Sequence, residues 1–228
     1  MKLLLDIGNT RIKAVLSHNG RLTPVEYSVD LYQQYPIEQL TYASVRHADR
    51  IESLVAAAKI SGVKIVEVTT SKQAFGITCA YETYQTLGID RWLAVLGAAA
   101  EFPNQNVIVV DAGTATTVDF LTADKQHLGG WIIPGLELMT TSITSQTDKV
   151  FDEDNTAFAY GAGDTTPKAL KYGCLAAQCG IVHQAVSYFD RPAKVIIAGG
   201  TADLMMPYLS DHQPIADGLI VFKGLDRF

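Results

Sequence analysis

Asp6 ends the apolar run Leu3-Leu4-Leu5 and is followed by Ile7-Gly8-Asn9-Thr10; Asp111 ends Val107-Ile108-Val109-Val110 and is followed by Ala112-Gly113-Thr114. Both stretches read as an apolar strand, an Asp, one residue, a Gly, a short polar cluster and a second strand, so the chain contains an internal duplication. Gly permits the backbone geometry of such a turn, and the hydroxyl or amide side chains stand beside free backbone N–H groups. A turn of this kind suits an anion. A carboxylate at the strand end would repel a phosphate directly, so its task would be to hold a cation, directly or through water, that the phosphate also contacts. Two such turns facing each other would clamp a metal polyphosphate. Either alone could be an ordinary hairpin with Asp and Gly as turn formers; the matched pair favours the phosphate reading.

A third acid, Asp90, lies in Gly88-Ile89-Asp90-Arg91-Trp92, ahead of Leu93-Ala94-Val95-Leu96-Gly97-Ala98-Ala99-Ala100. That apolar, small-residue helix must be buried nearly all round, which makes two charges in its opening turn conspicuous. Asp90 could cap the helix with Arg91 as counter-charge. It could also be a base or hydroxyl-orienting group, with Arg91 clamping a carboxylate or phosphate. Both can hold at once.

The elements that must position these residues follow from periodicity and punctuation. After the first hairpin, Asn19-Gly20 predicts a turn and Arg21 to Tyr27 a third strand. Leu31 to Pro36 reads as a loop, Gln39 to Val45 as a strand, His47 to Ser61 as a helix capped by Gly62, and Val63 to Val68 as a buried strand. Pro103-Asn104-Gln105-Asn106 is the junction between domains, placed at 1–104 and 105–228. The second half repeats the plan: a third strand over Gln126 to Ile133, then Pro134-Gly135 leading into a helix over Leu136 to Ser145, with N–H groups left accessible near Gly135. Gln146 to Asp164 reads as a loop. Thr165-Thr166-Pro167 opens a helix running to about Tyr188, with Ala176, Ala177 and Gly180 allowing close packing. Lys194 to Ala198 is a strand ending in Gly199-Gly200-Thr201, a turn on which a flat ring could lie, and Asp217-Gly218 precedes a short helix or strand. The fold class is α/β, with mixed central sheets flanked by helices.

Composition narrows the partners. At 48% hydrophobic and 18% charged residues the chain is globular, and a formal charge of -6 leaves no basic surplus for nucleic acid or an anionic membrane. Cys79, Cys174 and Cys179 show no metal spacing and fit reduced thiols in a cytoplasm. Asp6 cuts the first apolar run far short of a signal peptide, and no stretch approaches membrane-spanning length. None of the five histidines reads as a ligand, and no Ser/His/Asp arrangement, P-loop or GxGxxG is present.

Four landmarks in order, Asp6-Ile7-Gly8-Asn9-Thr10, Gly88-Ile89-Asp90-Arg91-Trp92, Asp111-Ala112-Gly113-Thr114-Ala115 and Gly129-Gly130-Trp131-Ile132-Ile133-Pro134-Gly135, resemble the type III pantothenate kinases of the acetate-kinase, sugar-kinase, heat-shock-70 and actin superfamily. The resemblance spans almost the whole chain. It implies two duplicated RNase-H-like (actin-like ATPase) domains with ATP in the cleft between them, and a homodimer with pantothenate pockets near the subunit interface. It places Asp6, Ile7, Gly8, Asn9, Thr10, Arg11, Ile12 and Lys13 in the first phosphate loop, Thr114 in the nucleotide site, and a monovalent cation, potassium or ammonium, on Asp111. Tyr81, Gly88, Ile89, Asp90, Arg91 and Thr166 fall where the family contacts pantothenate, and Asp90 matches the proton acceptor. The family usually has Asn-Thr ahead of the second-domain helix, where this chain has Thr165-Thr166 after Asp164.

The expected reaction is transfer of the γ-phosphoryl of ATP to the primary hydroxyl of pantothenate, the first step of coenzyme A biosynthesis. Asp90 would aim the hydroxyl, and Asp6 through Mg2+ and water and Asp111 through the monovalent cation would offset phosphate charge. A kinase or phosphatase for another small molecule, and a catalytically inactive ATP-binding regulatory protein of the same fold, are the competing readings. Three intact carboxylates around an anion weigh against the second.

Overall fold

The computed structural model describes residues 1–8, 12–44 and 49–228, with the side chains of residues 49 and 50 left aside. Two compact units result: Met1–Pro103 with Lys125–His127 and Leu219–Phe228, and Asn104–Asp124 with Leu128–Gly218.

In the first unit, β1 (Lys2–Ile7) pairs antiparallel with β2 (Ile12–His18), which pairs with β3 (Arg21–Val25) across the Asn19-Gly20 turn. Both turn residues have positive φ, which is why Asn and Gly stand there. Leu31 to Pro36, expected as a loop, contains the single helical turn α1 (Leu31–Gln34), pinned by the buried Leu31. Next come β4 (Gln39–Ser44), parallel to β1, then α2 (Asp49–Ile60) and β5 (Lys64–Glu67), parallel to β4. Gly62 follows α2 at φ +68°, the left-handed residue the sequence led us to expect. The expected buried strand over Val63 to Val68 is an edge strand instead, with Lys64 and Glu67 exposed. A small hairpin of β6 (Gln73–Ala74) and β7 (Ile77–Thr78) precedes α3 (Ile89–Glu101).

The second unit holds β8 (Asn106–Ala112), β9 (Ala115–Leu121), β10 (His127–Pro134), α4 (Leu136–Gln146), α5 (Thr166–Val186), β11 (Ala193–Ala198), α6 (Ala202–Met205) and β12 (Ile215–Ala216). The sheets have the orders β3-β2-β1-β4-β5 and β10-β9-β8-β11-β12, so each unit has a central hairpin extended on one side and two parallel strands on the other. The duplication read from the two Asp-containing turns is thus a repeated topology. Finally α7 (Ile220–Leu225) returns to the first unit.

Strand alternation sorts the side chains. In β1, Leu3, Leu5 and Ile7 join the core under α2 with Leu54 and Ala58. Leu4 and Asp6 therefore face the other side, where α3 packs on β4 and α7 on β1 and β4. In β8, Ile108, Val110 and Ala112 pack with Leu170, Cys174, Cys179 and Val182 of α5, and Asp111 falls on the opposite face. Helices α3 and α7 touch backbone to backbone. A β-carbon on Gly97 would overlap the Ile220 carbonyl, and one on Gly224 the Leu93 carbonyl. Gly180, expected to allow close packing, has open space where its β-carbon would be. Among the described residues no helix is long and apolar enough to cross a membrane.

Candidate active site

Asp6 is the penultimate residue of β1 and Asp111 the penultimate residue of β8. Their parallel-strand partners are likewise equivalent, Ala43 in β4 and Ala198 in β11. A small residue beside each carboxylate leaves room at the strand end. The Lys13 amine, across the hairpin register from Asp6, lies 4.0 Å from its carboxylate, at the outer limit of an ion pair. At that distance, with Lys13 near half exposed and Asp6 mostly buried, the pair is weak. Ile7 is 2% exposed within the core, so only its backbone could meet a ligand. Gly8 and Ile12 flank the turn; Asn9, Thr10 and Arg11 lie outside the described residues.

The turn after Asp111 is built by glycines far away in sequence. The Gly135 N–H donates to the Thr114 carbonyl at 2.9 Å, and a β-carbon on Gly135 would overlap the Gly113 carbonyl. The N–H of Gly135 itself is therefore used to brace the turn. On the other side Gly199, at φ +97°, lies so close that its β-carbon would overlap the Ala112 backbone, while the Thr201 N–H and hydroxyl both donate to the Ala112 carbonyl at 3.1 and 3.0 Å. Gly199 is thus a buttress of the turn after Asp111, and Gly200 beside it is open. Gly113 itself does not need a positive φ. Thr114 is exposed at the tip.

In the first unit, Tyr81, Gly88, Ile89, Asp90 and Arg91 come together at the start of α3. Gly88 is the N-cap and offers no side chain, and Asp90 turns back so that its Oδ1 accepts from the Arg91 N–H at 2.8 Å. That bond takes up one of the free N–H groups of the first turn, although Asp90 lies inside the helix and is not its N-cap. Arg91 is 7% exposed, its Nη1 donates to the Tyr81 hydroxyl at 3.2 Å, and its guanidinium lies 5.9 Å from the Tyr81 ring centre. Ile89 points into the core, so any ligand contact would come from its backbone. The approach to this turn is tied down by Lys72, whose amine donates to the carbonyls of Cys79 and Tyr81 at 2.9 and 3.0 Å, and by the Thr70 hydroxyl on the Leu87 carbonyl.

His127 was missed by sequence reasoning. It is 2% exposed, stacks on Tyr81 with ring centres 6.3 Å apart at 13°, and tilts against Trp92 at 6.1 Å. Its Nδ1 lies 3.5 Å from the Ala80 N–H, so it holds the Tyr81 ring from behind. Nothing local marks it, because its partners come from segments over thirty residues away. Thr166 is the first residue of α5 in the second unit, where the Thr165 side chain caps by accepting from the Lys168 N–H. The Lys168 ammonium bonds Asp164 at 2.8 Å and holds that carboxyl below its usual range.

Carboxylates such as Asp6 and Asp111 are hard oxygen donors suited to Mg2+ or an alkali cation. Among the described residues no three His, Cys, Asp or Glu side chains gather as a metal site. A cation held at either turn would draw its other ligands from water and phosphate oxygens.

Twin mixed sheets of one strand order, each with an acid at the same place in its central strand, define a protein of the actin-like ATPase and sugar-kinase fold. Two solved structures share it. A conserved protein from Campylobacter jejuni assigned to the Baf family of transcriptional activators superposes with a TM-score of 0.62 at 23% identity, covering 99% of this chain and 96% of its own. A ROK family glucokinase from Streptomyces griseus, in complex with glucose and AMPPNP, does so at 0.50 and 13% identity, covering 99% and 98%. The family model for type III pantothenate kinase matches residues 2–188. The type III pantothenate kinase of Pseudoalteromonas translucida is 42% identical over 227 residues, 99% of this chain and 95% of that one. The chain belongs to the type III pantothenate kinase family.

Proposed function

We propose that this protein phosphorylates pantothenate with ATP, giving 4'-phosphopantothenate for coenzyme A biosynthesis. Family membership along residues 2–188 carries the reading. We assign the turn Asp6–Lys13 and Thr114 to the ATP phosphates, and Tyr81, Gly88, Ile89, Arg91 and Thr166 to pantothenate, with Asp90 as proton acceptor. The protein would act as a homodimer in the cytoplasm.

The transition state of phosphoryl transfer is loose, so the site must position rather than activate. Arg91, fixed by Tyr81, presents a buried cation suited to the pantothenate carboxylate. Asp90, its Oδ1 held by the Arg91 N–H, can turn Oδ2 to the alcohol and take the proton late. Backbone N–H groups of the two turns meet phosphate oxygens. When bound, Mg2+ near Asp6 and a monovalent cation on Asp111 would offset phosphate charge.

Purified protein incubated with ATP, Mg2+, K+ and pantothenate is expected to yield a product heavier by one phosphate, read by mass spectrometry; ADP release that ignores pantothenate would sink the assignment. Potassium or ammonium is expected to activate strongly over sodium, and Asp111→Asn to abolish that difference. Equal rates in all three salts would remove the cation from Asp111.

A further inference from the structure

Residues 147–165, between α4 and α5, form neither helix nor strand. A connection this long inside an ordered unit is uncommon, and its backbone must be held by something other than a ladder. Beside the packing of Val150 and Phe158 on the core, much of that hold comes from Lys171, on the second turn of α5. Its residue is 7% exposed, and lysine is almost never buried unless paired. The ammonium lies 3.0 Å from Asp152 Oδ1, 2.7 Å from the Thr156 carbonyl and 3.3 Å from the Glu153 carbonyl, so each of its three protons has an oxygen. The ring of Phe158 stands 5.6 Å away on the same cation. One side chain thus gathers four residues of the connection.

The far end of the segment is seated on the same helix. Gly163 lies so close to Ala169 that a β-carbon would overlap its backbone N, and Asp164 bonds Lys168. Thr165 and Thr166 follow immediately. We propose that Lys171 is a positioning residue: by fixing residues 152–158 against α5 it sets where Thr165 and Thr166 stand, and so how well the enzyme takes up pantothenate. This rests on the assignment of Thr166 to that substrate.

The test compares the full-length protein with Lys171→Met, Lys171→Arg and Asp152→Asn, by amide hydrogen exchange and by steady-state kinetics with each substrate varied. In Lys171→Met, exchange over residues 150–160 is expected to rise roughly tenfold. The KM for pantothenate should rise about fivefold or more, with kcat and the KM for ATP within about twofold. Lys171→Arg should recover most of both effects. Unchanged exchange in Lys171→Met overturns the clamp; faster exchange with an unchanged pantothenate KM overturns its link to the substrate. Should Lys171→Met fail to fold, Asp152→Asn carries the same test with smaller shifts, its carboxylate being one-third exposed. A wild-type protein without pantothenate-dependent turnover would overturn the substrate assignment and the link with it, while the exchange comparison would still decide the clamp.

Discussion

At the scale of single residues, the proposed function gives Asp90 two separable tasks. Its Oδ1 holds the Arg91 N–H in the first turn of α3, a bond an amide oxygen can also make. Asp90→Asn should therefore keep the helix start and the fold while losing the proton acceptor, lowering kcat by roughly 10²–10⁴-fold. Turnover near normal in a variant with an unchanged melting curve would take Asp90 out of the chemistry. The cysteines make a second residue-scale case. All three are buried, and burial pushes the Cys179 thiol up to about 11. At pH 8 roughly one Cys179 in a thousand would be thiolate. Reaction with a disulfide reagent should then be slow in the folded protein, rise with pH well above 8, and become fast on unfolding; rapid native labelling of Cys179 would contradict its packing. Asp6, Asp90 and Asp111 were legible as candidates because a charge beside an apolar run is visible locally. His127 was not, since a buried imidazole takes its meaning from Tyr81, Trp92 and Ala80, none of them its sequence neighbour.

At the scale of elements, the two hairpins, α3, α4 and α5 could be read from periodicity and caps to within a residue or two. One-turn α1 could not, being shorter than any periodic signal, and β5 betrays nothing of its edge position until the strand order is known. The glycines divide the same way. Gly62 announces itself by following a helix, whereas Gly135 and Gly199 are glycine because the turn after Asp111 occupies the space of their β-carbons. Gly199→Ala should accordingly lower stability by about 1–3 kcal/mol from overpacking, with its positive φ adding about 1 kcal/mol. The adjacent Gly200→Ala should stay within about 0.5 kcal/mol, because nothing lies near it. Thermal melts of the two variants side by side check this; equal melting temperatures would mean the turn is not braced as described.

At the scale of the molecule, the sequence showed a duplication through its two acidic turns, and the strand orders show how far it extends: hairpin, third strand and parallel crossovers all repeat. The packing of residues 219–228 has no counterpart in local sequence, because Asp217-Gly218 reads the same whether the chain beyond it turns back or trails away. The contact of α7 with α3 through Gly97 and Gly224 is decided by tertiary structure alone. Gly224→Val would push two helix backbones apart, and destabilisation of about 3 kcal/mol or more is expected. Hydrogen exchange should show the loss first in α3 and β1, and uniform loosening spread evenly over both units would argue against it.

The same packing has a bearing on synthesis. A ribosome releases β1 before α7, and the helix that covers Leu4's face of that strand emerges only after the second unit. The unit begun first is thus completed only after the unit begun second has all its pieces. A nascent chain arrested just short of α7 should carry a closed later half and an open earlier one, with the seat of Asp90 still waiting for its cover.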